Sequence, residues 1–217
     1  MDYVIDIITG LSKGVGYTVS LFIVTIVFSI PLGLIFTFMS NGKNPVLKAL
    51  TRGYVFLMRG TPLMLQLFFF YFGLPNIPFI GKFLVMERFT TACVTFSLNY
   101  AAYFCEIFRG GLLSVDKGQY EASKVLGLTK FQTMTKVVLP QMFKVVLPPV
   151  SNEAITLVKD TALVTAIGIS DLLHITKSLV NGSGGNVTPF FVAAVFYLVV
   201  TFALTKLFNY LEKKFMF

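Results

Sequence analysis

A run of 25 residues without a charge, from Val15 to Met39, is the feature that most constrains this chain. An α-helix rises about 1.5 Å per residue, so this run is long enough to cross the roughly 30 Å hydrocarbon core of a bilayer. The whole chain is 55% hydrophobic and 13% charged, whereas soluble domains are about 25% charged. A soluble fold of this size could not bury so much apolar surface, so we expect lipid to be the solvent.

Four further apolar stretches follow, and together with the first they predict five transmembrane helices. The expected spans lie at about residues 15–39, 60–81, 89–109, 145–170 and 187–209. Backbone polar groups find no water in hydrocarbon, so each span must pair them internally as a helix. The alternation of a membrane β-barrel is not evident in the sequence. The sequence therefore predicts an all-α, polytopic membrane helical bundle in which residues 1–217 form a single domain.

Lysine and arginine are distributed unequally between the two sets of loops. One set holds thirteen of the 18, and cytoplasmic loops carry an excess of these residues. Those thirteen are Lys43, Lys48, Arg52, Arg59, Arg109, Lys117, Lys124, Lys130, Lys136, Lys144, Lys206, Lys213 and Lys214. We therefore expect the C-terminus in the cytoplasm and the N-terminus outside. The net charge of +8 does not predict a nucleic-acid partner, because the basic residues form no single patch.

The cytoplasmic loop over residues 114–140 is more polar than the rest of the chain and prone to form helices. Asp116 followed by Gln119 predicts a capping box that begins a short helix over residues 117–126. Gly127 can take a left-handed conformation and end this helix.

A second short helix is predicted to begin with the capping box Thr129–Gln132 and to end near Pro140, which lacks an amide hydrogen. Apolar side chains cluster at the bend between the two helices: Val125, Leu126, Leu128 and Phe131. Two interpretations of this bent pair are open. It could lie on anionic lipid as an amphipathic element, or its apolar bend could fit a groove in a soluble partner.

The same loop resembles a known signature. Glu121-Ala122-Ser123, then Gly127, then Leu139-Pro140 is similar to the signature loop of ATP-binding-cassette (ABC) importer permeases, whose usual form begins Glu-Ala-Ala. Further segments resemble the polar-amino-acid branch of that family: Arg59-Gly60-Thr61-Pro62-Leu63, Gln66, Glu106-Ile107-Phe108-Arg109-Gly110-Gly111, Gly118-Gln119 and Lys159-Asp160-Thr161-Ala162-Leu163. The resemblance extends from about residue 15 to about residue 212.

This resemblance implies the membrane-spanning permease subunit of an ATP-driven importer that carries a polar amino acid across a bacterial plasma membrane. The implied partners are two cytoplasmic ATPases, a second permease subunit that is identical or a close paralogue, an extracytoplasmic amino-acid-binding protein, and membrane lipid. The residues implied to couple the permease to an ATPase are Glu121, Ala122, Ser123, Leu126, Gly127, Leu128 and Phe131.

The chain itself is expected to be no enzyme. The phosphate-binding motif Gly-x-x-x-x-Gly-Lys-Ser/Thr does not occur in it, so ATP and Mg²⁺ are expected on the partner ATPase. No cofactor is predicted, and the single His174 with two distant cysteines predicts no metal site.

Charged residues within the predicted fourth span point to a transport pathway or to pairing between helices, because such residues are costly in hydrocarbon. Glu153 and Asp160 are seven residues apart and lie on nearly the same helix face, with Thr156 close by. They could bind the ammonium group or polar side chain of a substrate, or they could fix helix packing. Gln66 in the second span and Asn99 in the third, next to Tyr100, leave the same two interpretations open.

Two of the predicted spans carry charged residues at their inner ends. Glu106 and Arg109 are three residues apart and can form an ion pair at the end of the third span. Arg59 precedes Pro62, which favours a helix start there.

Other functions are open from the sequence. The chain could transport another small solute such as methionine or a metal, although the segments at residues 59–63 and 159–163 favour amino acids. It could be an ion-coupled carrier in which Glu153 and Asp160 carry protons, but five spans without inverted halves are atypical of such carriers. From a different class, it could be a membrane scaffold with no pathway.

Overall fold

The computed structural model describes residues 2–216 and the side chains of residues 5–215. Every regular element in this range is helical, and no strand occurs in it. The α-helices are α1 (Asp2–Asn41), α2 (Pro45–Gly60), α3 (Leu63–Phe68), α4 (Arg88–Ser114), α5 (Lys117–Val125), α6 (Lys130–Thr133), α7 (Leu139–Asp160), α8 (Leu172–Gly182) and α9 (Thr188–Met216). The predicted all-α class is therefore confirmed.

Helix α4 forms the centre of the bundle, because it packs against α1, α2, α3 and α7. Its contact with α1 is close: a Cβ atom added to Gly33 would lie 2.7 Å from the Cβ atom of Phe104. One turn further along α1, the hydroxyl of Thr37 donates a hydrogen bond to the backbone carbonyl of Cys105 at 3.0 Å. Small residues on α1 therefore let the two backbones approach each other, as in many membrane helix pairs.

The second predicted span, residues 60–81, begins at a sharp bend after α2, and its first helical stretch ends at Asn76. Helix α2 is capped by Asn44, whose side chain accepts hydrogen bonds from two first-turn amides, and the chain bends by 106° before α3. Thr61 has an extended backbone at this bend, as expected before Pro62, which disfavours a helical conformation in the preceding residue. After α3, a π-helical turn (Phe69–Gly73) and a 3₁₀ turn (Leu74–Asn76) complete the segment.

Residues 130–167 form one continuous helical segment. Helix α6 passes into a π-helical turn (Met134–Val138), then into α7, and then into a 3₁₀ turn (Thr161–Ile167). The prediction that Pro140 ends a separate short helix is therefore wrong. Pro140 lies in the first turn of α7, directly after the wide π-helical turn, so its missing amide hydrogen falls where the regular α-helical ladder is already interrupted.

A sharp turn separates this segment from α8. Gly168 adopts the left-handed conformation, with φ of +74°, and the chain bends by 56°. Asp171 caps α8, because its carboxylate accepts hydrogen bonds from the amides of Leu173 at 3.2 Å and His174 at 3.0 Å. The hydroxyl of Thr165 donates to the same carboxylate at 2.6 Å. Helix α8 then packs against α1 and α9.

Among residues 2–216, two helical stretches are long and apolar enough to cross a membrane alone: Ile5–Asn41 in α1 and Thr188–Phe215 in α9. The number rises to four if α2 with α3 is one crossing and the 130–167 segment with α8 is another. Helix α4 has 27 residues but is not among these crossings. It carries the charged residues Glu106 and Arg109, and other helices cover much of its surface. Five crossings therefore stay a prediction.

Gly33→Ala tests the close contact between α1 and α4. The added methyl group must displace the side chain of Phe104 or the carbonyl oxygen of Ala101, which would lie 3.1 Å away, and overpacking costs about 1–3 kcal/mol. We expect a lower melting temperature of the detergent-solubilised protein. Gly16→Ala in the same helix is the control, because nothing lies within 4 Å of its added Cβ atom. Equal melting temperatures for the two variants would contradict the contact.

Candidate functional site

Asp160 lies at the end of α7, and the central helix holds its carboxylate. The hydroxyl of Tyr100 on α4 donates a hydrogen bond to Oδ2 of Asp160 at 2.7 Å. Tyr100 is only 2% exposed, so burial fixes the position of this donor. The Oδ1 atom of Asp160 accepts no hydrogen bond from the residues that the structure describes. Asp160 is therefore anchored on one side and still able to bind a cationic group.

Glu153 and Thr156 lie earlier on α7 than Asp160. Glu153 is half-buried and Thr156 is exposed. Over residues 5–215, no salt bridge joins Lys159 or any other cation to Glu153 or Asp160. Helix α7 thus presents two carboxylates without ion-pair partners, separated by about 10 Å along the helix axis. Such an arrangement can attract an ammonium or guanidinium group.

Gln66 and Asn99 form a closed hydrogen-bond network at the bend between α2 and α3. The amide of Asn99 donates to the carbonyl of Met58 at 3.0 Å and to Oε1 of Gln66 at 2.9 Å. The amide of Gln66 also donates to Met58, at 2.8 Å, and to the carbonyl of Thr61 at 3.1 Å. The carbonyl of Met58 lacks its usual helical donor, because residue 62 is a proline. This network therefore favours the packing interpretation of Gln66 and Asn99.

An ion-pair cluster connects α2 to α4 near the end of α4. The Nε atom of Arg109 donates to both carboxylate oxygens of Glu106, at 3.0 and 3.1 Å, which confirms the predicted pair. The Nη1 atom of Arg59 lies 3.8 Å from Glu106, and the guanidinium carbon of Arg59 lies 5.3 Å from the ring centroid of Tyr103. Arg59 thus contacts α4 as well as lying at the end of α2.

Both short helices of the predicted bend are capped. Asp116 accepts a hydrogen bond from a first-turn amide of α5 at 2.7 Å. The predicted capping box at this position is wrong, because the side chain of Gln119 bonds instead to Gln141 at 3.3 Å. The predicted capping box of Thr129 and Gln132 is confirmed, with bonds of 2.9 and 3.2 Å in the two directions.

Gly127 ends α5 in the predicted left-handed conformation, with φ of +72°. The amide of Leu128 donates to the carbonyl of Ser123 at 3.0 Å, and the amide of Gly127 donates to that of Lys124 at 3.1 Å. This pair of bonds is the Schellman motif, which satisfies the last carbonyls of a helix. Ser123 is 2% exposed, and its hydroxyl donates to the carbonyl of Gln119 at 2.7 Å, so this position accommodates only a small side chain.

Apolar side chains cover the outer surface of the bend. Val125 is 87% exposed, and Leu126 and Phe131 are each 76% exposed. Glu121 and Ala122 are exposed beside them, and Glu121 forms no salt bridge with the described residues. We call these five residues the knuckle surface. Exposed apolar clusters on a rigidly capped bend are typical of interaction sites.

Two contacts of α4 were not predicted from the sequence: Tyr100 with Asp160, and Tyr103 with Arg59. Each joins residues that are distant in the chain, and aromatic residues make up 15% of the sequence, so neither tyrosine is conspicuous. The spacing of Tyr100, Tyr103 and Glu106 is a signal that could have indicated these contacts, because residues three apart are neighbours on a helix surface.

The sequence matches the family described as "binding-protein-dependent transport system inner membrane component" over residues 29–216. That match covers most of the chain. The chain belongs to this permease family.

Several relatives of this permease are similar over most of their length. The octopine transport system permease protein of Rhizobium radiobacter is 38% identical over 195 residues, which are 86% of this chain and 79% of that protein. The L-cystine transport system permease protein of Bacillus subtilis is 34% identical over 94% of this chain and 86% of that protein. The putative glutamine transport system permease protein of Rickettsia felis is 33% identical over 93% of this chain and 91% of that protein.

Solved structures share the fold of this permease. The crystal structure of an amino acid ABC transporter with histidines has a TM-score of 0.89 at 29% identity, covering 98% of this chain and 97% of that chain. An inward-facing methionine ABC transporter has a TM-score of 0.73 at 20% identity, which shows a common fold alone. The resemblance to ABC importer permeases and the predicted membrane helical bundle are thereby confirmed.

In this permease, Asn99→Leu tests the buried network at the α2–α3 bend. The variant leaves Oε1 of Gln66 without its donor, and an unsatisfied buried group costs about 1–3 kcal/mol. We expect a lower melting temperature in detergent. The double variant with Gln66→Leu should lose less stability than the sum of the two single variants, because the residues share one network.

Thr156→Val is the control for the buried network, since Thr156 is exposed and its hydroxyl forms no hydrogen bond with the described residues. Its melting temperature should match that of the wild type. Additive losses in the double variant, or an unchanged melting temperature for Asn99→Leu, would contradict the network.

Proposed function

We propose that this permease is the membrane subunit of an ATP-driven importer that carries a polar amino acid across a bacterial plasma membrane. Relatives named as octopine, cystine, glutamine and arginine permeases support the substrate class. The solved amino acid ABC transporter with the same fold supports an ATP-driven mechanism. In this proposal ATP and Mg²⁺ bind to a partner subunit, and this chain provides the pathway.

The observation that carries the proposal is the continuity between the knuckle surface and Asp160. Phe131 of the knuckle surface lies in α6, and the helical segment continues from Lys130 beyond Asp160 without a break. At about 1.5 Å per residue, roughly 45 Å of helix separates its start from Asp160. A displacement of the knuckle surface is therefore transmitted to the carboxylates of α7.

The knuckle surface is proposed to dock in a groove of a cytoplasmic ATPase. Its exposed apolar side chains supply the anchors for such a groove, and the Schellman turn at Gly127 sets the angle between the two short helices. Glu121 has no ion-pair partner among the described residues, so we propose that a basic group of the ATPase pairs with it. Ser123 and Leu128 hold the bend from its inner side.

The complete transporter is proposed to contain two such permeases, identical or closely related, with one ATPase beneath each. Five helices are few to enclose a pathway, so we propose that the pathway lies between the two subunits. An extracytoplasmic binding protein delivers the amino acid to the outer mouth. We propose that the knuckle surface and the C-terminus lie in the cytoplasm and the N-terminus outside, because cytoplasmic loops carry an excess of lysine and arginine.

Asp160 is proposed as the principal substrate contact, with Glu153 and Thr156 further along the same face. The ammonium group of the amino acid would bind the carboxylate of Asp160 at Oδ1, while Tyr100 holds Oδ2. Gln66 and Asn99 are placed outside the pathway, because their amide groups are already occupied by each other and by backbone carbonyls.

Leu126→Asp tests docking of the knuckle surface. Leu126 is 76% exposed, so the variant should fold, but a carboxylate entering an apolar groove loses its hydration. We expect ATP-dependent uptake into proteoliposomes to fall roughly tenfold or more, equivalent to about 1.4 kcal/mol of lost coupling, and the ATPase to be lost when the permease is affinity-purified.

Phe79→Asp is the matched control for ATPase retention. Phe79 is 94% exposed and lies in the loop before α4, at the opposite end of that helix from the knuckle surface. The ATPase should stay bound to this variant. An ATPase that also stays bound to Leu126→Asp, or uptake that survives ATP depletion and follows an ion gradient, would refute the proposed coupling.

Asp160→Asn tests the substrate contact. The amide oxygen of asparagine can still accept the hydrogen bond from Tyr100, so the fold should be preserved while the negative charge is lost. A hydrogen bond to a charged group contributes about 1.5–3 kcal/mol, so the apparent affinity for the amino acid should fall roughly 10- to 100-fold. The measurement is amino-acid-stimulated ATPase activity of the reconstituted complex. Unchanged kinetics with a lowered melting temperature would show a packing role instead.

A further inference from the structure

A cleft of about 440 Å³ opens between α2 and α4, near the end of each helix. Two arginines and a tyrosine face it together with one carboxylate. Its lining residues are Arg52, Val55, Phe56, Arg59, Gly60, Tyr103 and Glu106. The cleft therefore combines an apolar wall with a concentration of positive charge.

The single carboxylate of the cleft is already occupied. Arg109 donates to both oxygens of Glu106 through Nε, at 3.0 and 3.1 Å, and to Oε2 again through Nη2 at 2.5 Å. A bidentate pair of this kind is the strong form of an arginine–carboxylate contact. Arg59 reaches Glu106 only at 3.8 Å, beyond the length of a hydrogen bond. Glu106 thus leaves Arg59 without a hydrogen-bond acceptor.

The two guanidinium groups of the cleft have unmet hydrogen-bonding capacity. The guanidinium carbon of Arg59 lies over the ring of Tyr103, 5.3 Å from its centroid, and Arg59 donates no hydrogen bond to any residue that the structure describes. Arg52 lies one heptad earlier on α2, lines the same cleft and likewise has no acceptor within residues 5–215. A guanidinium presents five N–H donors in a planar fork that matches carboxylate and phosphate oxygens. The cleft therefore has the chemistry of an oxyanion receptor.

Aromatic side chains connect this receptor to Asp160. The rings of Tyr103 and Tyr100 have centroids 6.1 Å apart, and the hydroxyl of Tyr100 bonds to Asp160. Tyr100, Tyr103 and Glu106 follow one another at three-residue spacing on α4, so each lies about 60° around the helix from the next. A line of polar groups therefore leads from the carboxylate of Asp160 to the guanidinium of Arg59.

We infer that this cleft binds the α-carboxylate of the transported amino acid at the inner end of the pathway, with Arg59 as the main donor and Arg52 as its support. The inference rests on the proposed function, which makes this end cytoplasmic and the solute a zwitterion. The solute's ammonium group first binds Asp160, and its carboxylate then binds Arg59 before release. A phospholipid phosphate has the same oxyanion chemistry and is distinguished in the test.

The test measures binding to the purified permease–ATPase complex in nanodiscs, without the external binding protein. The probes are the amino acid that stimulates ATPase activity most among the twenty, and its α-carboxamide, which lacks the negative charge and has an NH2 group in place of one acceptor oxygen. The wild-type complex should bind the acid at least roughly tenfold more tightly than the amide, as loss of one charged hydrogen bond predicts. In Arg59→Gln the affinity for the acid should fall to that for the amide, and the affinity for the amide should not change.

Two further variants accompany Arg59→Gln. Arg59→Lys keeps the charge but not the planar fork, so it should retain part of the preference for the acid. Lys43→Gln removes a positive charge from the exposed turn before α2, outside the cleft, and should retain the full preference. If Arg59→Gln does not fold, as judged by gel filtration, Arg59→Lys and Arg52→Gln should each show a smaller acid-to-amide preference than the wild type. The full wild-type preference in both variants would overturn the inference.

Three results would overturn the inference. The first is a wild-type complex that binds acid and amide equally, and the second is an Arg59→Gln complex that loses affinity for both to the same extent. The third is a loss of co-purified anionic phospholipid in Arg59→Gln, measured by mass spectrometry, with an unchanged acid-to-amide ratio; this would assign the cleft to lipid. If none of the twenty amino acids stimulates the ATPase, the proposed function itself fails.

Discussion

Hydrocarbon offers no hydrogen-bond partners, so every interruption of a membrane helix must be repaired from within the chain. The bend at Pro62 shows the repair most clearly. The proline deprives the carbonyl of Met58 of its helical donor, and side-chain amides from Gln66 and Asn99 take its place at 2.8 and 3.0 Å. Because Asn99 lies on α4, the repair also fixes the bent segment to the centre of the bundle. The position of Arg59, just before the bend, depends on it.

Two groups of polar residues in the bundle have different consequences. In the first group, exemplified by Gln66 and Asp171, every polar contact is made within the chain, and these residues determine where helices bend and begin. In the second group, Asp160, Glu153 and Arg59 keep unmet hydrogen-bonding capacity after folding. Glu153 and Asp160 are partly buried, and burying such groups without full hydrogen bonding is costly. This cost is a physical reason to expect a solute, water or a partner protein at the two carboxylates.

Most of the local chemistry was predictable from the sequence, although Gln119 does not complete the capping box expected with Asp116. Contacts between distant residues were not predictable. The left-handed turn at Gly127, the capping box at Thr129 and the Glu106–Arg109 pair each depend on residues within a few positions of one another. The bond between Tyr100 and Asp160 joins residues sixty positions apart, and only the packing of α4 against α7 brings them together. The prediction that a helix ends at Pro140 was wrong because a π-helical turn directly precedes this residue and lets the helix continue. That turn has no clear signal in the sequence.

The continuous segment over residues 130–167 packs against the bundle along α7, and hydrogen bonds outside the segment fix one of its ends. Beyond that end, the carbonyl of Gly168 accepts a hydrogen bond from Nη1 of Arg88 at 3.2 Å, and Nε of Arg88 donates to the hydroxyl of Tyr71 at 3.1 Å. The other end carries the exposed knuckle surface. Between the two ends, α7 packs against α1, α4 and α9, and Val138, Met142 and Val146 are buried in the main apolar core. A helix held in this way can be displaced only together with the helices that it packs against, so the proposed coupling involves the whole bundle rather than α7 alone.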